Sequence, residues 1–247
     1  MNAVAALYDI HGNLPALEAV LRDVRRAGAD LVVVGGDVLP GPMATESLDL
    51  LGTFEIPVRY LTGNGERETL AAADGREMTT VPPAYQPLVK WGAEQLRPDQ
   101  IAGLKHWPKT LEIDVPGWGT ILFCHATPRN DMDIFTRLTP DDRIAPAFAG
   151  VTAPIVVCGH THMTFDRHVG TIRVLNAGSV GMPFDTPGAH WLLLDAGGPR
   201  FMHTAYDLEA AANRIRATNY LDAEAFAANY VLQAPGEDVM LKAYGDR

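Results

Sequence analysis

Residues 3–13, Ala-Val-Ala-Ala-Leu-Tyr-Asp-Ile-His-Gly-Asn, set an unbroken apolar run directly before an aspartate, a histidine and a helix-capping asparagine. A run with no polar residue is the pattern of a strand buried on both faces, as in a sheet covered by other layers. A helix follows over 14–27: Leu14, Leu17, Leu21 and Val24 recur at helical spacing, Asn13 caps it and Pro15 lies in its first turn. A second apolar strand, 31–34, then runs into Gly35-Gly36-Asp37. Strand, helix and strand in this order predict an α/β arrangement, in which ligands collect outside the carboxyl ends of the strands. Asp9, His11 and Asp37 all stand at such ends.

Working outward, the same placement repeats. A strand over 58–62 leads into Gly63-Asn64-Gly65-Glu66, one over 120–123 into Cys124-His125, and one over 155–158 into Gly159-His160-Thr161-His162. Imidazole is the side chain most often used to hold a transition metal. Two histidines one residue apart share a face on a regular strand, but on a turn they diverge and reach toward two nearby ions. Each residue also has an ordinary reading: Asp37 as a cap, Asn64 as a left-handed turn residue, His125 as a hydrogen-bonded core histidine. Five separated strand ends that each offer nitrogen or oxygen donors are better explained by one shared site.

The remaining elements alternate early and turn β-rich late. A helix runs through 46–51, residues 67–80 form a polar stretch that is partly helical or mobile, and helices over 83–96 and 98–106 join at Arg97. Strands 111–115 and 120–123 form a hairpin around Pro116-Gly117-Trp118-Gly119. Strands follow at 155–158, 164–168, 171–175, 190–195 and 200–206, and helices over 208–217 and 223–232 close the chain. Two sheets packed face to face with helices outside satisfy this order.

The ordered set Asp9-x-His11, Gly36-Asp37, Gly63-Asn64, His125 and Gly159-His160-x-His162 resembles the calcineurin-like metallophosphoesterase superfamily. The Asp-Ile-His-Gly-Asn opening and the late Asn176-Ala177-Gly178-Ser179-Val180-Gly181 are similar to its small bacterial and archaeal phosphodiesterase-type branch. The motifs span residues 9–181. The resemblance implies an α/β (α+β) fold, a four-layer α-β-β-α sandwich of two mixed sheets flanked by helices. It implies two divalent ions, with Asp9, His11 and His162 on the first, Asn64, His125 and His160 on the second, and Asp37 bridging both. Nitrogen and oxygen donors without thiolate suit manganese, the favoured choice, or iron, nickel or zinc, rather than calcium or an iron–sulfur cluster. The activity implied is phosphoester hydrolysis, in which a hydroxide bridging ions about 3.5 to 4 Å apart attacks phosphorus in line. Asp37, Asn64 and His125 would serve it through the ions and substrate positioning. Four positive charges, less two from Asp9 and Asp37 and one from hydroxide, leave roughly one to attract a phosphate.

Residue 65 departs from the pattern. Many members have a histidine directly after the metal-binding asparagine, whereas here Gly65 is followed by Glu66 and Arg67. Loss of that general acid would slow cleavage of poor leaving groups by about 100-fold to 10,000-fold. The branch resembled here often lacks it and is associated with phosphodiesters, so phosphodiesterase is the leading reading. A phosphomonoesterase or protein phosphatase and a dinucleoside polyphosphate hydrolase are competitors on the same site. Arg67 and Arg129 are candidates for holding a nonbridging phosphate oxygen, or else solvated surface arginines. A non-catalytic metal-binding scaffold, like the retromer subunit of this fold, is opposed by the presence of all seven ligands. An amidohydrolase is opposed by the late position of its His-x-His pair.

The chain reads as one domain over 1–247, with 67–107 a helical cap or an edge packing and 207–247 a helical extension. At 47% hydrophobic residues and a formal charge of -10 it can bury a large core, and it would not draw a nucleic-acid polymer to its surface. The substrate expected is a small phosphoester; oligomeric state is left open. No apolar stretch approaches twenty residues and no basic leader precedes the first strand, so neither a membrane span nor secretion is expected and the location is cytoplasmic. Cys124 and Cys158 read as buried free thiols. Asn130, Asp131 and Asp133 read as rim residues or a helix cap; the four tryptophans and His106, His168, His190 and His203 read as structural. The 176–181 segment reads as support behind His160 and His162.

Overall fold

A computed structural model describes residues 3–115 and 117–245. Pro116, placed by the sequence at the hairpin turn, lies outside them. The chain begins β1 Ala3–Leu7, α1 Leu14–Ala27, β2 Leu31–Val34, α2 Ala44–Gly52 and β3 Val58–Tyr60. Helices α3 Asn64–Ala73, α4 Gln86–Gln95 and α5 Pro98–Leu104 follow, then β4 Thr110–Val115 and β5 Gly119–Cys124. After α6 Asp141–Ile144 come β6 Ile155–Cys158, β7 Thr164–Val169, β8 Ile172–Ala177, β9 Ala189–Asp195 and β10 Gly198–Thr204. Helices α7 Leu208–Arg216, α8 Ala223–Phe226 and α9 Glu237–Gly245 close the described chain.

The strands form two mixed five-stranded sheets, ordered β10-β9-β1-β2-β3 and β4-β5-β6-β8-β7. In the first, β1, β2 and β3 are parallel, with Leu7 opposite Val34 and Val34 opposite Tyr60. In the second, β5, β6 and β8 are parallel, with Phe123 opposite Val157 and Cys158 opposite Asn176. Each sheet thus gathers three carboxyl ends at one edge.

Strand β1 is buried at every residue because its two faces serve two cores. Ala5 and Leu7 pack with Leu17, Leu21 and Val24 of α1, while Val4, Ala6 and the following Tyr8 meet Ile121, Phe123, Val157 and Leu175 between the sheets. Burial of a leucine such as Leu17 or Leu21 contributes about 2 kcal/mol. On the far side of the second sheet, Phe135, Ile144 and Phe148 cover Val156 and Val174, so this outer layer is a short helix and turns. Helix α1 is closed as its sequence indicates: Asn13 Oδ1 accepts from Ala16 N, and Gly28 follows at φ 69°.

Several local expectations are revised. The polar stretch at 67–80 is helical as far as Ala73, and its helix starts earlier, at Asn64. Asn130 caps no helix; its Oδ1 accepts from Met132 N and Asp133 N in a turn. Helix α6, four residues long with Ile144 its one apolar side chain, is too short to announce itself in sequence, and α9 adds a helix beyond the expected end at 232. Among the described residues no helix is long and apolar enough to cross a membrane.

Candidate metal centre

The two parallel edges face one another, and backbone hydrogen bonds lace their loops together. Asp9 N donates to Gly36 O at 3.1 Å, His11 N to Asp37 O at 2.9 Å, Gly159 N to His125 O at 2.8 Å and Gly181 N to Asp9 O at 3.0 Å. Asp9, His11, Asp37, His160 and His162 all adopt left-handed backbone, with φ of 54°, 46°, 54°, 66° and 58°. Such a conformation is costly for residues with a Cβ, and it persists where surrounding structure over-determines it. Five instances among the seven expected ligands mark this rim as the place where the fold holds strain for a purpose.

Two triads result. Donor atoms of Asp9, His11 and His162 lie within 4.8 Å of one another, as do those of Asp37, His125 and His160. Asp37 stands between the groups: Oδ2 is 3.8 Å from His11 Nε2 and Oδ1 is 3.5 Å from His125 Nε2. Asp9 Oδ1 is 3.5 Å from His162 Nε2 and 3.9 Å from His125 Nε2. Asn64 joins the second triad, its Oδ1 3.0 Å from His125 Nε2. All seven residues of the expected set therefore meet at one place.

Three of the histidines are oriented from behind. Nδ1 faces the carbonyl of Pro40 in His11 (3.3 Å), of Gly35 in His125 (2.9 Å) and of Met182 in His162 (2.7 Å). A carbonyl accepts only, so Nδ1 donates to it and Nε2 is the atom turned to the centre, free to offer its lone pair once any proton there is lost. His11 Nε2 and His162 Nε2 are 3.3 Å apart. Two lone pairs at that distance require a proton or a metal ion between them. Asp9 Oδ1 is buried and has no hydrogen-bond partner among the described residues. Facing lone pairs, an orphaned carboxylate oxygen and neutral amide oxygen together make a donor set that fits divalent transition ions.

Charge in the bare centre agrees. Burial opposes ionisation of Asp37, yet His125 and His11 hold its carboxyl well below the ordinary range; Asp9 is likewise held down, chiefly by His162, against its burial. Burial alone would lower His125, but Asp37 and Asp9 push it to about 10, and Asp9 raises His162. Burial and the neighbouring His125 lower His160 to about 4. The proton on His125 thus occupies the positive role that a metal ion would fill on binding.

Supporting contacts come from the 176–181 segment and from Glu66. Ser179 Oγ donates to Asp9 O at 2.7 Å, and Asn176 Nδ2 donates to Gly159 O at 2.7 Å and Thr161 Oγ1 at 3.1 Å. Glu66 is fully buried and accepts from Asp37 N (2.8 Å), Gly63 N (2.8 Å) and Leu39 N (3.0 Å). Burial, with Asp37 nearby, raises its carboxyl to about 7 against those three donors. Sequence reading passed over Glu66, although its place three residues after Gly63 is the spacing of a carboxylate that returns to a helix start.

Gly65 explains the absence of the histidine. Its N donates to Asp37 Oδ1 at 2.6 Å, and a Cβ there would come within 2.0 Å of Leu39 O. No side chain fits without moving backbone. At Gly36, φ is 88° and a Cβ would meet Gly63 N at 2.6 Å, so the loops after β2 and β3 touch through glycine.

Arg67 and Arg129 are engaged elsewhere. Arg67 Nε donates to Asp131 Oδ2 at 2.7 Å and its guanidinium pairs with Glu68; Arg129 grips Asp133 at 3.0 and 2.7 Å. Both border a small cavity of about 110 Å³ beside His125. The larger cleft, about 400 Å³, opens on His11, Asn64 and His160 and has Gly65, Glu68 and Tyr85 in its wall. Cys124 and Cys158 are buried free thiols whose pKa burial pushes up, and neither is a donor to the triads.

The pattern matches known proteins. A model of the calcineurin-like phosphoesterase superfamily domain matches residues 3–198. The chain is similar to an uncharacterized protein, MJ0912, of Methanocaldococcus jannaschii, with 26% identity over 199 residues, 74% of this chain and 77% of that one. In fold it is similar to a metallophosphoesterase from Sphaerobacter thermophilus, with TM-score 0.71, 21% identity, and 92% and 98% of the two chains covered. It is also similar to the hypothetical protein PH1004 from Pyrococcus horikoshii, with TM-score 0.73, 20% identity and the same coverage. With the family model spanning most of the chain, from residue 3 to residue 198, this protein belongs to the calcineurin-like phosphoesterase superfamily.

Proposed function

We propose that this protein is a dinuclear metal-dependent phosphodiesterase acting on a small phosphoester. Asp9, His11 and His162 would hold one divalent ion and Asn64, His125 and His160 the other, with Asp37 shared; manganese is favoured, and iron, nickel or zinc also suit these donors. Bound ions of this kind activate water and stabilise charge on phosphorus during in-line displacement. Water oxygen adds to phosphorus, the bond from phosphorus to one arm breaks, and the departing oxygen takes one proton of the water. A monoester remains.

The protein's own part is positioning. Pro40, Gly35 and Met182 carbonyls fix three imidazoles, and Glu66 fixes the backbone of Asp37 and Leu39. Gly65 supplies no acid to the leaving oxygen, which favours a leaving group of low basicity.

The observation that carries the diester over its competitors is the lining of the cleft. Its described lining has no lysine or arginine and holds two carboxylates, Glu68, which Arg67 pairs from behind, and Asp222. A singly charged diester enters such a cleft more readily than a dianionic monoester or a polyphosphate, whose further charge the Asp222 carboxylate repels.

Metal-stripped protein resupplied with manganese is the test, with an activated phosphodiester set against the matching monoester. Diester turnover that needs metal and fails in Asp37→Ala and His125→Ala supports the reading. Monoester preference replaces it with a phosphatase, and tight metal binding without either activity replaces it with a scaffold.

A further inference from the structure

We propose that the 400 Å³ cleft receives one arm of the diester and that this arm ends in an alkylammonium group. The inference rests on the phosphodiesterase reading and adds the chemistry of the arm. Its walls come largely from outside the catalytic loops. Tyr220, Phe226 and Tyr230 lie beyond residue 198, where the family match ends, and Tyr85 precedes α4.

Three properties select the ligand. First, the rings stand at angles to one another: Tyr220 and Phe226 meet at 88° with centroids 6.2 Å apart, and Phe226 and Tyr230 at 57° and 5.7 Å. These rings pack at an angle on one another and give the cleft no parallel pair between which a flat nucleobase would stack. Secondly, aromatic faces attract cations, most strongly where water is excluded. Thirdly, the fixed charge of the lining is negative. Asp222 lies in the wall and forms no ion pair among the described residues. Glu68 is 2% exposed; its Oε1 is taken by Arg67 and Thr80, while Oε2 has no hydrogen-bond partner among the described residues. Glu68 is thus compensated by Arg67, and among the described residues of the wall it is the Asp222 carboxylate that a cation in the cleft would pair with.

Tyr220 is itself held by Trp91 of α4, ring centroids 5.2 Å apart at 71°. The aromatic chamber and the metal rim share His11, Asn64 and His160 as a border. An arm seated among the rings therefore places its phosphate over the triads.

Two measurements test the inference. The first is binding of choline and of its neutral isostere 3,3-dimethylbutanol to metal-free protein, followed by ligand-observed NMR. Choline is expected to bind about fivefold to tenfold more tightly, with the preference lost in Asp222→Asn and reduced in Tyr230→Leu. The second is metal-loaded hydrolysis of the p-nitrophenyl diesters of choline and of 3,3-dimethylbutanol, where the preference should appear in KM and leave kcat nearly equal. Equal binding of the two probes overturns the ammonium assignment, whether or not any diester is cleaved. Preferred binding of choline with no diester cleaved removes the phosphodiesterase reading and leaves the ammonium site standing. A p-nitrophenyl nucleotide diester outperforming both would overturn the proposal in favour of a nucleobase arm.

Discussion

The cleft has two walls built on different principles. On the metal side, side chains are fixed by backbone: loops at six strand ends hydrogen-bond to one another, and five donor residues are held in left-handed conformation. On the aromatic side, Tyr220 and Phe226 pack among Ala211, Ile215, Ala227 and Val231 in a separate core formed by the last helices. Backbone lacing fixes positions closely and tolerates little change. A cluster of helices docked on the sandwich can be rebuilt without disturbing the loops. The proposed function places chemistry in the first wall and choice of substrate in the second.

Four changes would break or sharpen that contrast. The largest effect is expected for Asp37→Ala, which removes the carboxylate between the triads: diester turnover should fall at least ~100-fold and bound metal should drop below two ions per chain, read by elemental analysis. Retained turnover with two ions would mean that the first wall is not the reactive one. Next is Glu66→Ala, which leaves three buried amides without an acceptor. Denaturant unfolding should show a loss of about 3 kcal/mol or more, with a smaller loss for Glu66→Gln, whose amide oxygen still accepts.

The third change is pH. His125 is raised from 6.5 to about 10, so its pairing with Asp37 and Asp9 stabilises the metal-free protein fully below pH 6.5 and is lost as pH rises through 10. Melting temperature of the metal-free protein should therefore decline across that window, and that of the manganese-loaded protein should decline less, because the ion replaces the proton. Parallel curves would contradict the electrostatics of the metal side. The smallest effect belongs to the other wall. Tyr85 is 59% exposed, so Tyr85→Ala should change stability by no more than about 0.5 kcal/mol. KM for a cationic diester should rise about twofold to fivefold while kcat holds.

Much of the first wall could be read from sequence because it is written in local order. An apolar run buried on both faces, then a short polar motif, fixes a strand and the loop at its end, and β1 and its Asp9-x-His11 motif are found where that logic places them. Helix α1 was equally plain, with its spacing, its Asn13 cap and Pro15 in its first turn all present in 13–27. The helix at Asn64–Ala73 was read less well, since its apolar residues are few and its start is set by Glu66 returning to the Gly63 amide.

Sequence by itself determined the alternation of strands and helices, the placement of nitrogen and oxygen donors at strand ends, and membership of the family's ordered motif set. Those are properties of neighbours along the chain. The tertiary structure alone decided that Leu39 O fills the space a side chain at 65 would need, and that rings from residues 220–230 face a site assembled from residues 9–162. The physical reason is distance: these contacts join residues far apart in sequence, and only the packing of two sheets and the docking of the last helices brings them together.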